Sequence, residues 1–96
     1  MENIRKMQLL LERIPKGRVT TYKILAREMG VHPRQAGMIL GKNPEPDRYA
    51  CYKVVKSDGS IGGYGLGVKE KARRLRSDGV EVKNNKVSLK RHLFSF

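Results

Sequence analysis

Cys51 is the only cysteine of the 96-residue chain and the strongest candidate for a nucleophile. A free thiol at its reference pKa is only about 3% thiolate at neutral pH, and the thiolate is the reactive form. Lys53 and Lys56 lie nearby in sequence, and positive charge favours the ionised form. Neither His32 nor His92 has the spacing of a Cys–His pair, and a lone cysteine is often a small buried hydrophobe. A nucleophile and a packing residue both remain open interpretations.

A second group of candidate residues lies on a short predicted helix over 34–40. At about 100° per residue, Arg34 points away from the core and is flanked by Gly37 and Gly41. The side that must face the core carries Ala36, Ile39 and Leu40. Glycines on an exposed helix face allow close approach to a nucleic-acid backbone, and an arginine there can enter a groove. The simpler alternative is a solvated arginine beside a glycine that relieves crowding between helices.

The third candidate is a glycine-rich loop, residues 61–67, with four glycines around Tyr64. No Gly-Lys-Ser/Thr signature follows the glycines, so the loop does not indicate a nucleoside triphosphate site. Backbone N–H groups beside one aromatic ring suit a flat ligand such as an extruded base. A hairpin in which Tyr64 fills the core is the alternative. The basic segment 69–76 is interpreted as a solvated helix face that attracts phosphate.

Four helices are predicted to position these residues. An amphipathic helix runs from Ile4 to Ile14 and ends at the Pro15–Gly17 turn. A second helix starts after the Thr20-Thr21 pair, either of which can cap it, and stops at Gly30. The third begins at Pro33, and the fourth runs from about Val68 to Gly79. Two short helices joined by a tight glycine turn indicate a helix-turn-helix.

The extended segments are few and short. Residues 49–55 form a strand-like run, 57–60 form a turn, and 80–82 with 87–89 alternate like a small hairpin around Asn84-Asn85. The pattern predicts a single domain over residues 1–96. Its fold class is α+β and mostly helical, a winged-helix-like helix-turn-helix domain with a small strand component.

The composition limits the partners of this domain. The chain has 21 Lys+Arg against 9 Asp+Glu, a net charge of +12 and a pI near 10.3, which makes a polyanion the expected partner. One cysteine excludes an internal disulfide or a multi-cysteine zinc site, and we expect no metal. No apolar run reaches the roughly 20 residues that span a bilayer, so we expect no membrane contact and a cytoplasmic location, the prokaryotic cytoplasm or nucleoid.

Together the segments resemble the C-terminal domain of the O6-alkylguanine-DNA alkyltransferases and their alkyltransferase-like relatives. The resemblance covers nearly the whole chain. Its motifs are Ile14-Pro15-Lys16-Gly17, Thr21-Tyr22-Lys23-Ile24-Leu25-Ala26, Arg34-Gln35-Ala36-Gly37, Asn43-Pro44-Glu45-Pro46, Ala50-Cys51-Tyr52-Lys53-Val54, Asp58-Gly59-Ser60, Gly63-Tyr64, Lys71 and Gly79-Val80-Glu81-Val82. The resemblance leads us to expect this domain without the N-terminal domain that many family members carry.

The resemblance implies a role for each residue of the reaction site. Cys51 is similar to the nucleophile that accepts the alkyl group from guanine O6, once per molecule and without a cofactor. Tyr64 resembles the residue that hydrogen-bonds the developing oxyanion, with the Gly65 N–H in support. The Cys51 and Val54 carbonyls would accept from the guanine amino group, Lys71 would belong to the base pocket, and Asn43 resembles the asparagine that organises the turns of the site.

The same resemblance implies how DNA is bound. Arg34 looks like the arginine finger that enters the duplex where the target nucleotide leaves it, and Tyr22 like the tyrosine that crowds a phosphate. The third helix would lie in the minor groove. The further contacts expected on this basis are Thr21, Gln35, Ala36, Gly37 and Lys42. The implied partner is double-stranded DNA with alkylated or otherwise damaged guanine, and other DNA repair proteins are a second class of partner.

Two departures from the family pattern concern proton transfer. The family motif is Pro-Cys-His-Arg, and this chain has Ala50-Cys51-Tyr52-Lys53. The family histidine relays the thiol proton to a glutamate, whose position falls on Asp78. A tyrosine with a reference pKa near 10 is a poor base at neutral pH, and loss of a general base costs on the order of 10²- to 10⁴-fold in rate.

Three functions remain open at this point. The first is a single-turnover methylated-DNA–protein-cysteine S-methyltransferase, favoured because Cys51 is retained, whereas the non-reacting alkyltransferase-like branch replaces that cysteine. The second is a lesion-recognition module that flips and shields a damaged base without reacting, favoured by Tyr52 in place of histidine. The third is a helix-turn-helix regulator or DNA-coating protein with Cys51 merely packed. Nothing in the chain offers the aromatic surface of an RNA-binding module.

Overall fold

Five helices and four two-residue strands make up the computed structural model, which describes residues 2–96. The helices are α1 (Glu2–Glu12), α2 (Tyr22–Met29), α3 (Pro33–Gly41), α4 (Val68–Ser77) and α5 (Leu89–His92). The strands are β1 (Thr20–Thr21), β2 (Val54–Val55), β3 (Val82–Lys83) and β4 (Lys86–Val87), and one 3-10 turn covers Cys51–Lys53. The predicted mostly helical α+β domain is confirmed.

Side-chain caps fix the two helices of the helix-turn-helix. The Thr21 Oγ1 accepts a hydrogen bond from the Ile24 N–H (3.1 Å), and Gly30 ends α2 with a φ of 73°. At the start of α3 the His32 Nδ1 accepts from the Arg34 N–H (3.1 Å), and the Gln35 side-chain oxygen accepts from the His32 N–H (3.0 Å). This reciprocal pair is a capping box in which histidine stands where serine or threonine is usual.

Two apolar clusters form the core, and β2 joins them. Alternate residues of a strand face opposite sides, so Val54 packs into one cluster and Val55 into the other. The first cluster lies among α1, α2 and α3 and contains Met7, Leu10, Leu11, Ile14, Leu25, Ala26, Met29, Ala36, Leu40, Tyr49 and Val54. The second lies against α4 and contains Val19, Val55, Ile61, Ala72, Leu75, Val80, Val82 and Val87. The residue after Cys51-Tyr52-Lys53 is therefore anchored in the core.

The main correction concerns the strand-like run at 49–55. Its first part turns through the 3-10 turn, and only β2 is extended, in parallel register with β1 (Thr20 opposite Val54). β1 was not predicted, because its two residues gain their extended form from a partner far along the chain. The first helix ends at Glu12, two residues before the predicted end, and α5 was also not predicted.

The predicted C-terminal hairpin is present. β3 and β4 are antiparallel, and Asn84 and Asn85 have φ values of 53° and 57°, the conformation that a two-residue type I′ turn requires. The chain then returns to the N-terminal half, where the Phe94 N–H donates to the Val19 carbonyl (2.7 Å).

Candidate active site

A pocket of about 550 Å³ opens between the helix-turn-helix and the glycine-rich loop. That volume lies within the range of about 300–1,000 Å³ typical of sites for small organic ligands. Its walls come from α2, α3, the loop after α3, the 3-10 turn, the glycine-rich loop and α4. The lining residues are Tyr22, Gly37, Leu40, Gly41, Asn43, Pro46, Cys51, Gly63, Tyr64, Gly65, Leu66 and Lys71.

Cys51 lies at the wall of this pocket and is only partly buried. It begins the 3-10 turn, where the Val54 N–H donates to the Cys51 carbonyl and the Cys51 N–H donates to the Tyr49 carbonyl (2.7 Å). The backbone of the turn is thus held at both ends while the side chain borders open space. This placement argues against the interpretation that Cys51 is merely a packed hydrophobe.

Tyr64 lines the same pocket as Cys51. Burial raises the pKa of the Tyr64 phenol, the nearby Cys51 raises it further, and the Arg74 guanidinium opposes the rise. The Tyr64 hydroxyl accepts a hydrogen bond from Arg74 Nη1 (3.1 Å). An arginine offers no acceptor, so the proton of the Tyr64 hydroxyl is not used in this contact.

Lys71 is a buried cation at the base of the pocket, with a side chain that is 1% exposed. Its ammonium group donates to the Val54 carbonyl (2.8 Å) and the Gly63 carbonyl (3.2 Å), which ties β2 to the glycine-rich loop. Burial lowers the pKa of Lys71 to about 8, a shift that Cys51 opposes and Lys56 reinforces. The Val54 carbonyl therefore accepts a hydrogen bond from Lys71, and a carbonyl oxygen can accept a second one.

Tyr22 forms the wall between α3 and Lys71. The Lys71 ammonium lies 5.8 Å from the centre of the Tyr22 ring, a cation–π contact, and burial raises the pKa of the Tyr22 phenol, as does Cys51. A Cβ added at Gly37 would meet this ring at 4.0 Å, which is ordinary van der Waals contact. Crowding between helices therefore does not explain Gly37.

Asn43 organises the loop that follows α3. Its amide nitrogen donates to the Tyr49 carbonyl (3.0 Å), and its amide oxygen accepts from the Glu45 N–H (3.1 Å) and, at 3.5 Å, from Gln8 of α1. This small network closes residues 43–49 into a defined loop directly before Cys51. The loop carries Pro46 into the pocket wall.

Tyr52 and Asp78 do not form the hydrogen-bonded pair that a proton relay needs. Asp78 Oδ2 accepts from the Gly17 N–H (2.9 Å) and lies 2.8 Å from the Lys53 ammonium. Tyr52 is partly buried near Cys51, and burial followed by the Asp78 charge raises the pKa of its phenol. The structure places the carboxylate close to Tyr52 but engages it with Lys53 and the Gly17 backbone.

The exposed face of α3 begins at Arg34 and continues one turn later at Met38, which is 59% exposed. Lys42 follows at the end of the helix and is also exposed. The sequence placed Met38 beside Arg34 without assigning it a role. An arginine, a large apolar side chain and two glycines on one stripe form a surface suited to a narrow groove.

Three predicted DNA contacts are engaged inside the protein. The Ala36 side chain is fully buried in the core, so the predicted contact of this residue with DNA would have to come from its backbone. Thr21 is 4% exposed and its hydroxyl caps α2, so its predicted contact with DNA would likewise have to come from its backbone. Gln35 is exposed, but its amide oxygen caps α3.

Two further features are absent from residues 2–96. None of the helices in this range is long and apolar enough to cross a membrane. Within the same residues, no group of three or more histidine, cysteine, aspartate or glutamate side chains lies close enough to hold a metal ion.

The fold and site match one protein family. Residues 3–80 match the family model described as the DNA-binding domain of 6-O-methylguanine DNA methyltransferase. The chain belongs to this family. It is 49% identical over 88 residues to a bifunctional methyltransferase/endonuclease of Picrophilus torridus, covering 90% of this chain and 30% of that protein. It is 44% identical over 79 residues to a methylated-DNA–protein-cysteine methyltransferase of Pyrobaculum aerophilum, covering 82% of this chain and 53% of that protein.

Solved structures show the same architecture. Atl1 of S. pombe, in complex with damaged DNA containing O6-carboxymethylguanine, superposes with a TM-score of 0.85 at 27% identity, over 99% of this chain and 96% of that one. The O6-methylguanine-DNA methyltransferase of Pyrococcus kodakaraensis superposes with a TM-score of 0.75 at 34% identity, over 82% of this chain and 46% of that one. The chain thus spans about half or less of the methyltransferases it matches and nearly all of Atl1.

Proposed function

We propose that the protein binds duplex DNA, takes a flipped O6-alkylguanine into the pocket, and accepts the alkyl group irreversibly on Cys51. The observation that carries this proposal is the position of the Cys51 thiol on the wall of a 550 Å³ pocket that it shares with Tyr64. A nucleophile and a hydroxyl donor on one cavity are the two groups that alkyl transfer from an oxygen requires.

The transfer is a displacement at the alkyl carbon. The Cys51 sulfur forms a bond to that carbon as the carbon–O6 bond breaks, and the proton of the thiol is taken up by the guanine that is released. Negative charge develops on O6 during this step. The Tyr64 hydroxyl, with its proton free, donates to that oxygen, and the Gly65 N–H supports it.

The remaining pocket residues hold the base. The second lone pairs of the Cys51 and Val54 carbonyls accept from the guanine amino group. Lys71 keeps the Val54 carbonyl and the glycine-rich loop in register, and it places a positive charge near the sulfur. Asn43 holds the loop that leads into Cys51.

DNA is bound by the exposed stripe of α3. The net charge of +12 supplies phosphate attraction that is independent of sequence, and Lys42 is part of it. Arg34 enters the space that the flipped nucleotide leaves, Gly37 lets the backbone approach, and Tyr22 presses on the adjacent phosphate. Two related proteins of known structure are DNA complexes, Atl1 and the OGT of Mycobacterium tuberculosis, which supports DNA as the partner here.

A second candidate function is recognition of the lesion without reaction. Tyr52 stands in place of the relay histidine, and Asp78 is engaged by Lys53 and Gly17, so no side-chain base is paired with the thiol. A protein of this kind would flip and shield the damaged base and leave its removal to another repair protein. The relatives that combine methyltransferase and endonuclease in one chain make such a partner reasonable.

Transfer of label from DNA to protein separates the two functions. The protein is incubated in excess with a duplex carrying one O6-[³H-methyl]guanine, and radioactivity in acid-precipitated protein is measured against time. Alkyl transfer predicts one labelled methyl moved to protein per duplex, and none with Cys51→Ser. Tight, lesion-selective binding by the parent and by Cys51→Ser, without label transfer, would favour the recognition function instead.

A further inference from the structure

Arg74 of α4 contacts three side chains that belong to different parts of the site. Its Nη1 donates to the Tyr64 hydroxyl (3.1 Å), its Nη2 lies 2.8 Å from Asp47 Oδ1, and its Nε lies 2.7 Å from Glu70 Oε2. Its side chain is only 18% exposed, and the guanidinium also lies 5.8 Å from the centre of the Tyr64 ring.

Two of the partners of Arg74 come from different loops that contribute to the pocket wall. Tyr64 belongs to the glycine-rich loop, and Asp47 follows Pro46 in the loop that Asn43 organises. A planar guanidinium can satisfy several acceptors at fixed angles, which a lysine cannot do. Arg74 therefore bridges the two loops. Asp47 is the exposed end of the bridge, at 86% exposure, and Glu70 on the preceding turn of α4 holds the Arg74 Nε.

The direction of the hydrogen bond to Tyr64 has a chemical consequence. Because Arg74 can only donate, the Tyr64 oxygen is the acceptor, and the hydroxyl proton is left for a partner in the pocket. A hydroxyl that accepts from a cation becomes a stronger donor, since hydrogen bonds in a chain polarise one another. Arg74 also favours the ionised phenol, because its charge opposes the rise in the pKa of Tyr64.

We propose that Arg74 is the positioning residue for Tyr64: it fixes the hydroxyl at the pocket wall, orients its proton toward the reacting oxygen, and strengthens it as a donor. This inference rests on the proposed alkyl transfer and deepens it. Arg74 touches neither the base nor Cys51 in this scheme and acts only through Tyr64. Arg73, its neighbour, pairs with Glu70 alone and offers a matched control.

The test is a double-mutant cycle on the single-turnover rate of methyl transfer at saturating DNA. Arg74→Gln is expected to slow transfer about tenfold, which is the effect of one charge-assisted hydrogen bond. In the Tyr64→Phe background, Arg74→Gln is expected to have no further effect, and Arg73→Gln is expected to match the parent throughout. An equal slowing with and without the Tyr64 hydroxyl would overturn the inference, as would a parent-like rate for Arg74→Gln.

A second measurement does not depend on turnover. The absorbance titration of Tyr64 is isolated as the difference between each protein and its Tyr64→Phe version. The Tyr64 pKa is expected to be higher in Arg74→Gln than in the parent and unchanged in Arg73→Gln; an unchanged pKa in Arg74→Gln overturns the inference. If Arg74→Gln fails to fold, Arg74→Lys takes its place, with a partial loss of rate expected because lysine cannot reach all three partners.

The two measurements also separate this inference from the proposed function. If the parent protein acquires no methyl group, the proposed alkyl transfer is wrong. The claim that Arg74 strengthens Tyr64 for that reaction is then wrong as well. The Tyr64 titration then still decides whether Arg74 acts on Tyr64.

Discussion

Lys53, the last residue of the 3-10 turn that begins at Cys51 (the active-site turn), forms an ion pair with Asp78. The distance between Lys53 Nζ and Asp78 Oδ2 is 2.8 Å. Lys53 also donates to the Pro15 carbonyl (2.9 Å), and Asp78 accepts from the Gly17 N–H (2.9 Å). The pair thus ties the turn after Cys51 to the end of α4 and to the loop after α1. A carboxylate held in this way supports the turn and is not paired with Tyr52.

Asp78→Asn should therefore lower stability. The Lys53 side chain is 5% exposed, and removing its counterion leaves a buried charge, which costs roughly 3 kcal/mol of unfolding free energy. Urea denaturation at pH 7 measures this change. Glu81→Gln removes the partner of Arg91 from an exposed pair, and its effect should stay below about 0.5 kcal/mol. Equal stability of the two variants would show that the buried pair has no structural role.

Tyr52→Phe should leave methyl transfer almost unchanged. Burial raises the pKa of the Tyr52 phenol, with the Asp78 charge as the second cause, so the hydroxyl stays protonated at neutral pH and cannot accept the thiol proton. We expect a single-turnover rate within about twofold of the parent. A loss of about a hundredfold, the size expected for a general base, would show that the hydroxyl does take part.

Lys71 should make the stability of the protein depend on pH in the alkaline range. The pKa of Lys71 falls from 10.5 to about 8 on folding, mainly through burial, so between these values the unfolded chain binds more protons than the folded one. Stability then rises with pH across that interval. Urea denaturation over this range should show that the unfolding free energy rises less with pH in Lys71→Met than in the parent.

Lys69→Met is the matched control for this effect, because Lys69 is exposed on the same helix. It should keep the pH dependence of the parent. If Lys71→Met and the control show the same slope between pH 8 and 10.5, Lys71 is not the group that is linked to folding.

Arg34→Ala should lose selectivity for the lesion, since Arg34 is assigned to the space that the flipped base leaves. Affinities for a lesion duplex and an undamaged duplex are compared by fluorescence anisotropy at several salt concentrations. We expect the preference for the lesion to fall about tenfold or more. Lys42→Ala should instead weaken binding to both duplexes equally and reduce the salt dependence of the affinity, as expected for a phosphate contact. Unchanged selectivity in Arg34→Ala would show that Arg34 does not have the role proposed for it.

The helical part of the fold was predictable because its determinants are local. Thr21, Gly30, Pro33 and Gly41 mark the ends of α2 and α3 within one or two residues, and the Asn84-Asn85 pair fixes the hairpin turn. Each of these residues determines the conformation of the backbone next to it in sequence. The resemblance then brought Cys51, Tyr64 and Lys71 to one pocket, where the structure also places them.

The contacts that connect distant segments were not predictable. β1 depends on β2, and the ion pair of Lys53 with Asp78 depends on how α4 packs against the active-site turn. In the sequence Arg74 is one cation within a basic helix, and nothing local distinguishes it from Arg73. Only the packing of α4 against two loops selects the arginine that reaches Tyr64 and Asp47.

Transfer of an alkyl group from DNA to the Cys51 sulfur changes the mass of the protein, so mass spectrometry detects it without a label. The protein is incubated with excess duplex carrying one O6-methylguanine, and intact mass is followed by peptide mapping. We expect a gain of one methyl group, located on Cys51, and no gain with undamaged duplex. An unmodified Cys51 after full occupancy of the lesion duplex would contradict it.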